Sequence, residues 1–340
     1  MTIKMNVPEP IVKATLFSAL VFSLCTGPAG AQTPAKSAAA VAYPERAVRL
    51  IVPFGAGGSA DNFARILAQR LGDAWAQQVV VDDRPGSAGV IGTEIAAKAT
   101  PDGYTWVIGN IGNIAINPAL YTKLPYHPRA DFAPVSLMAS SAYVVIVPLS
   151  LPATTMEQFV AMAKAKPGQF NYASTGNGSV SQLGAEMLAS MIGTRFSHVP
   201  YKSHGTMMVD LATGRVHLMF DGMASAQAQV RAGKLRALAV STAKRSPVMA
   251  EVPTVAESGV PGFEVSGWYG VLVPKGTPPR IVEKLHGDIA VALKSPDLRE
   301  RFAADGAEAV SSTPAEFSIF IGRELEKWAK VVKVTGVATN

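Results

Sequence analysis

Val52-Pro53-Phe54-Gly55-Ala56-Gly57-Gly58-Ser59-Ala60-Asp61-Asn62 joins a β-branched apolar run to an amphipathic segment through a glycine-rich loop. Residues 48–52 read as a strand. Residues 59–71 read as a helix, because Phe63, Ile66, Leu67 and Leu71 recur at i, i+3, i+4 and i+8. A strand that passes through glycines into a helix lets the backbone approach a ligand closely. The helix start adds free N–H groups and about half a positive charge, which suits a carboxylate or a phosphate. Taken alone, the stretch allows three readings. One is such an anion site. Another is a dinucleotide fingerprint, Gly55-x-Gly57-x-x-Ala60, with Asp82 or Asp83 at the end of the next strand for the ribose. Pro53 and Phe54 oppose that one because they break the strand before the first glycine. The third is a tight turn with Ser59 as N-cap.

Outward from this stretch, short β-branched runs keep alternating with amphipathic segments, the pattern of an α/β protein with largely parallel sheets. Further strands are expected at residues 79–81, 106–109, 143–147, 170–173, 216–220, 238–240 and 267–273. Helices are expected at 155–166, from the second glycine loop to 191, at 206–213 and 225–232, and near 279–293, 296–305 and 313–334. That second loop, Ser174-Thr175-Gly176-Asn177-Gly178-Ser179, again joins strand to helix, with Ser179 or Ser181 able to cap. Such loops sit at the carboxyl ends of strands, where α/β proteins bind ligands. Two of them in two α/β sets suggest opposite walls of a cleft.

The 340 residues are 48% hydrophobic and 16% charged, enough apolar material for one or two packed domains and too much for a disordered chain. Cys25 is the only cysteine, which excludes disulfides, CxxC zinc sites and iron–sulfur clusters, and beyond Cys25 there is no thiolate nucleophile. No GxSxG elbow occurs. Ser241-Thr242-Ala243-Lys244 matches SxxK but lacks the SDN and KTG partners, so it reads as chance. His127, His198, His204, His217 and His286 never stand at i, i+4 with a glutamate, so no metal site is expected. His198 reads as a hydrogen-bonded structural or cleft-edge residue; Met207, Met208 and Met219 read as core. The net charge of +6 is spread evenly, without basic clusters interleaved with aromatics. It favours a small anion and argues against nucleic acid.

Lys4 and Lys13 precede an apolar stretch over residues 14–25, then Thr26-Gly27-Pro28 and the small-residue site Ala29-Gly30-Ala31. This is the pattern of a secretory signal over residues 1–31, cleaved near Ala31, with a flexible leader at 32–42. Bulky Leu24 before Cys25 opposes lipid anchoring. The mature protein is expected in the periplasm.

Several short motifs stand in one order along the chain. They are Tyr43-Pro44, the opening loop with Asp61, Arg84-Pro85-Gly86 followed by Gly89, Pro101-Asp102-Gly103-Tyr104, Asn117-Pro118-Ala119-Leu120-Tyr121, and Phe132-Ala133-Pro134-Val135. They continue with Tyr172-Ala173-Ser174-Thr175-Gly176, His198-Val199-Pro200-Tyr201-Lys202, Asp210-Leu211 with Gly214, Met219-Phe220-Asp221, and Pro253-Thr254. With these, the chain resembles the substrate-binding proteins of tripartite tricarboxylate transporters, the Bug family of periplasmic solute receptors.

The resemblance implies an α/β fold of the two-domain periplasmic-binding-protein type (type II-like). Each domain would be a mixed sheet flanked by helices, and the two would close like a flytrap. Domain I would comprise residues 43–142 plus 266–340, and domain II residues 143–265. It implies a non-enzymatic, monomeric receptor without cofactor that captures a small organic carboxylate, mono- or dicarboxylic and including aromatic acids, and delivers it to membrane permease subunits. The ligand would be held by Phe54, Gly55, Ala56, Gly57, Gly58, Ser59, Ala60 and Asp61, and by Asn110. From the other side Ser174, Thr175, Gly176, Asn177, Ser179, Tyr201 and Asp221 would contribute. Two departures from the family pattern are Ser203-His204, where a glycine commonly follows the lysine, and His217, where an acidic residue is common. The competing readings are an exported nicotinamide oxidoreductase and a serine hydrolase.

Overall fold

A computed structural model describes residues 43–337; the expected signal, Cys25 and leader lie outside the described residues. The chain begins with β1 (Val48–Val52), α1 (Ser59–Trp75), β2 (Val79–Asp83), α2 (Val90–Ala97) and β3 (Thr105–Asn110). A π-helical turn at Ile111–Ile116 then leads into α3 (Asn117–Leu120). The stripe foreseen on α1 is buried: Phe63, Ile66, Leu67 and Leu71 all face the core. Each such side chain contributes about 1.5–3 kcal/mol relative to exposure. The helix runs past residue 71 because Trp75 still packs edge-on against Trp106, with centroids 5.7 Å apart, and it stops at Ala76 in the left-handed region.

Next comes β4 (Phe132–Pro148), seventeen residues where five or six are usual. It is followed by α4 (Met156–Ala165), β5 (Asn171–Ser174), α5 (Val180–Ile192), β6 (Ser197–Pro200), α6 (His204–Ala212), β7 (Leu218–Gly222), α7 (Met223–Arg231) and β8 (Leu235–Val240). The chain ends with β9 (Ser266–Pro274), α8 (Pro279–Ala292), α9 (Pro296–Ala304), β10 (Ala307–Ala309) and α10 (Pro314–Thr335).

The strand β4 serves two sheets. Its first part pairs antiparallel with β9, from Phe132↔Pro274 to Ala142↔Ser266. From Tyr143 onward it pairs antiparallel with β7 and β8 instead. The first sheet runs β2-β1-β3-β9-β4 and the second continues β4-β7-β5-β6, with β10 and β8 also on β4. The expectation of largely parallel sheets is therefore corrected. The β2-β1-β3 and β6-β5-β7 groups are parallel, but every pairing made by β4 and every pairing made by β9 is antiparallel. The local pattern reports that a strand exists; its direction depends on where the chain returns from, and β9 comes back more than a hundred residues after β4.

Helix α10 crosses near this junction. Glu324, 5% exposed, accepts hydrogen bonds from Trp268 Nε1 at 3.0 Å and Trp328 Nε1 at 3.1 Å, which fastens α10 to the start of β9. Gly270 on β9 leaves room for the Phe317 ring, which a Cβ there would overlap.

Candidate functional site

In both parallel groups the helices start at the same sheet edge. α1, α2 and the π-turn follow β1, β2 and β3, and α5, α6 and α7 follow β5, β6 and β7. This gathers helix N-termini, with their partial positive charge, at the carboxyl ends of the strands.

The first glycine loop leaves β1. Gly57 has φ +79, a left-handed conformation that glycine adopts without strain, and nothing lies within 4 Å of where a Cβ on Gly55 or Gly57 would stand. The N-cap of α1 is Gly58, which has no side chain to bond the first turn; Ser59, read above as the cap, is the first helical residue. Residues 55–59 are exposed, whereas Ala60 is buried. Asp61, 2% exposed, turns back to accept from the Gly57 N–H at 2.7 Å. It also pairs with Arg65 Nε at 2.6 Å, and Arg65 reaches Asp83 at 2.7 Å. Burial works against ionisation of Asp61, but the Gly57 N–H and the Arg65 guanidinium outweigh it and hold the carboxyl below its usual range. Asp83 moves the other way, raised by burial and by the neighbouring Asp61. Asp61 thus orients the loop, and the uncapped first turn of α1 presents the anion-seeking groups. A Cβ on Gly89 would meet both the Phe54 ring and Asn113 Cβ at 3.2 Å.

Asn110 ends β3. Its Oδ1 accepts from Gly112 N at 2.8 Å and Asn113 N at 3.1 Å, while Asn113 Oδ1 accepts from Asn110 N at 2.7 Å. Of its side chain, the amide NH2 is the part these contacts leave over.

The second glycine loop is tied by side chains in a directed relay. Gly178 N–H donates to Gln182 Oε1 at 2.7 Å, so the Gln182 amide nitrogen faces His198 Nδ1, 3.3 Å away. His198 Nδ1 is then the acceptor, and its Nε2–H donates to Ser174 Oγ at 2.5 Å. Ser174 in turn donates to Gly176 O at 3.2 Å. Burial lowers the pKa of His198, in keeping with a neutral ring stacked 4.9 Å from Tyr172. The proton on Nε2 points toward the serine, so this pair is arranged opposite to a serine activated by a general base. Ser179 caps α5 by accepting from Gln182 N at 3.2 Å, and Ser181 Oγ accepts from Thr175 N at 3.1 Å. Asn177 is exposed at the loop tip.

Asp221, at the end of β7, is 4% exposed. Its Oδ1 meets His204 Nε2 at 3.0 Å and Gly222 N at 2.9 Å, and its Oδ2 has no hydrogen-bond partner. Tyr201 is half-buried, and its hydroxyl donates to Asp210 at 2.9 Å while its N–H bonds Ser174 O at 2.9 Å. Its contribution to the loop is therefore made through the backbone. His217 holds Asn171 N at 2.9 Å beside β5, a strand-edge contact away from the loops.

Two residues of this region escaped sequence reading. Tyr143 on β4 and Tyr269 on β9 are half-buried where the sheets meet. Burial raises both phenol pKa values; Tyr143 also feels Tyr269 and Asp221, while Ser59 offsets part of the shift at Tyr269. They place two neutral phenols near Ser59 of the first loop and near Asp221. Nothing local distinguishes them from core tyrosines, since only the pairing of distant strands brings them together.

The competing readings lose their residues. Asp82 is held by Arg49 at 2.7 Å and Arg84 at 3.1 Å, and Asp83 by Arg65, so each is already paired with a guanidinium. Ser241 is fully buried; its Oγ accepts from Tyr143 N at 2.9 Å and donates to Val265 O. A surface concavity of about 590 Å³ lies along α1 and β2, lined by Arg65, Gln69 and Val80, and includes neither glycine loop. Charge and hydrogen bonding, rather than size, distinguish the loops.

Comparison with known proteins supplies the family. The family described as "Tripartite tricarboxylate transporter family receptor" matches residues 63–337. Protein BugT of Bordetella pertussis is 39% identical over 295 residues, 86% of this chain and 90% of that protein. The structure described as R. palustris Rpa4515 with adipate is 38% identical with a TM-score of 0.76, covering 87% of this chain and 99% of the other. MatC from Rhodopseudomonas palustris with bound malate is 31% identical with a TM-score of 0.72, covering 85% and 100%. The α/β architecture with mixed sheets is the two-domain fold of periplasmic solute-binding proteins. The chain belongs to the tripartite tricarboxylate transporter receptor family, whose match runs from within α1 to the last described residue.

Proposed function

We propose that this chain is a periplasmic receptor that binds a small organic dicarboxylate between two domains, returns it chemically unaltered and delivers it to a membrane permease. The observation that carries the reading is the first glycine loop: a left-handed Gly57 held by Asp61 beneath an α1 N-terminus that no side chain caps. One carboxylate fits there, with charge-assisted bonds to backbone N–H groups. Adipate and malate, named with two relatives, are both dicarboxylates, which supports that class for this chain.

In this reading the first loop from Phe54 to Asp61 and Asn110 form one wall. The second loop, with Ser174, Thr175, Gly176, Asn177 and Ser179, forms the other together with Tyr201 and Asp221. The proposed domain boundaries coincide with the change of partners in β4, between Ala142 and Tyr143, and with the start of β9 at Ser266. Residues 43–142 with 266–340 then move against 143–265, as ligand favours the closed state. The signal-like residues 1–31 support a periplasmic location.

Calorimetry with matched mono- and dicarboxylates, with NAD as control, tests the function. Binding of an acid, its recovery intact by mass spectrometry after hours, and a smaller radius of gyration on saturation are expected. Binding of NAD alone, or turnover above a heat-denatured control, would overturn the reading.

A further inference from the structure

The strand order β7-β5-β6 makes one contact conspicuous. His204 opens α6, which follows β6, yet its ring reaches Asp221 on β7, so the pair spans the carboxyl end of β5, where the second glycine loop begins. The two partners are unequally placed: the carboxylate is buried, with 5% of its side chain exposed, while the imidazole has 45% of its side chain exposed. The imidazole therefore faces outward, beside the loop.

We propose, building on the receptor reading above, that His204, oriented by Asp221, is the specificity-determining contact that takes the second carboxylate of a diacid. The first carboxylate is left to the α1 loop. A monoacid of equal length places a methyl group at His204 and gains nothing from it.

The surroundings set the sign of the pH effect. The hydrogen bond to Asp221 raises the pKa of His204, and burial opposes this only in part. From α7, Ser225 Oγ lies 3.4 Å from the same nitrogen. From β4, Tyr143 faces Asp221 as a neutral phenol, and Tyr172 of β5 is engaged with Glu186. Exposed Lys202 precedes the helix in the connecting loop, and on α6 itself Asp210, near the far end, pairs with Arg215. Asp221 is thus the carboxylate that meets the ring. Imidazolium is present below the raised value and disappears as pH rises through it, so diacid selectivity is greatest at the low end of the pH range and falls as pH rises.

The test uses calorimetry on the chain without residues 1–31, with succinate, glutarate and adipate against butyrate, pentanoate and hexanoate, from about pH 6.5 to 9, where all the acids are ionised. Wild type is expected to prefer the best diacid over its matched monoacid, with the preference shrinking at high pH. His204→Gln, which keeps a donor but cannot charge, is expected to lower that ratio about tenfold near pH 6.5 and to abolish its pH slope. Circular dichroism confirms folding, and the wild-type pH slope provides a readout independent of any variant. A folded His204→Gln that retains both the ratio and the slope overturns the proposal. So does a wild-type ratio that is constant with pH and is lost in Lys202→Gln, because the charge then comes from Lys202. Wild type that binds no acid of either series overturns the receptor reading itself, an outcome distinct from binding that ignores His204.

Discussion

The two glycine loops follow parallel strands and open helices, yet they are built in opposite ways. The first, Gly55 to Gly58, leans on backbone: its helix has no side-chain cap, and a single buried carboxylate, Asp61, holds Gly57 in place. The second, Ser174 to Ser179, is braced by side chains, with Ser174, Ser179, Ser181, Gln182 and His198 satisfying its backbone or one another. A loop of the first kind leaves helix-end amides for a guest. A loop of the second kind forms a firm wall, because its internal bonds must break before it can reshape. On the proposed function, this difference gives anion capture to the first loop and shape to the second.

The strongest way to break this contrast is Gly57→Val. A β-branched residue is poorly accommodated at φ +79, so the first loop should lose its geometry and ligand affinity should fall about a hundredfold or more. Gly58 is a gentler site, since its φ of −80 is ordinary and a Cβ there meets only Gly55 O at 3.4 Å. Calorimetry on both variants, with circular dichroism for folding, checks the order. Equal affinity in Gly57→Val and wild type would remove the first loop from the site.

In the second loop the corresponding change should strike stability first. His198→Phe keeps the ring over Tyr172 but removes a donor to Ser174 and an acceptor for Gln182, a cost of about 1–3 kcal/mol. The same residue makes the loop acid-sensitive. Burial depresses the pKa of His198, so its stabilising contribution is present above the ordinary value of about 6.5 and is lost as pH falls through the depressed folded value. A protonated Nδ1 would face the Gln182 amide donor. Urea midpoints should fall from pH 7 to pH 5 in wild type and fall less in His198→Phe; identical slopes would dismiss the relay.

The smallest effect sharpens the contrast. Ser179→Ala removes the cap of α5 and should cost about 1 kcal/mol of stability, read as a shift in urea midpoint. The matching position on α1 has no such cap to lose, since Gly58 already lacks one.

Much of this was legible in the residues. The stripe Phe63, Ile66, Leu67, Leu71 located α1, and Pro167-Gly168 marked the end of α4, because turn chemistry and 3.6-residue periodicity act over a few neighbours. Residues 132–142 were not read as strand: Ala133, Pro134, Ser136, Ala139, Ser140 and Ser141 carry little β signal, and β9 alongside supplies the pairing. Helix α2, the π-turn and β6 were missed for similar reasons, being short and dependent on their neighbours. His198 was foreseen as a hydrogen-bonded residue, but the direction of its bonds required the Gln182 amide to be seen against Gly178.

Local chemistry alone specified where the strands, helices and anion-prone loops lie, since glycine freedom, caps and amphipathic periods are properties of adjacent residues. Three-dimensional packing decided the rest. It set the antiparallel course of β4 and β9, brought Tyr143 and Tyr269 together between Ser59 and Asp221, and carried His204 across the end of β5 to a buried carboxylate. These contacts join residues 17 to 210 positions apart in the chain, and no local preference encodes them. They form because one long strand shared by two sheets fixes which edges meet.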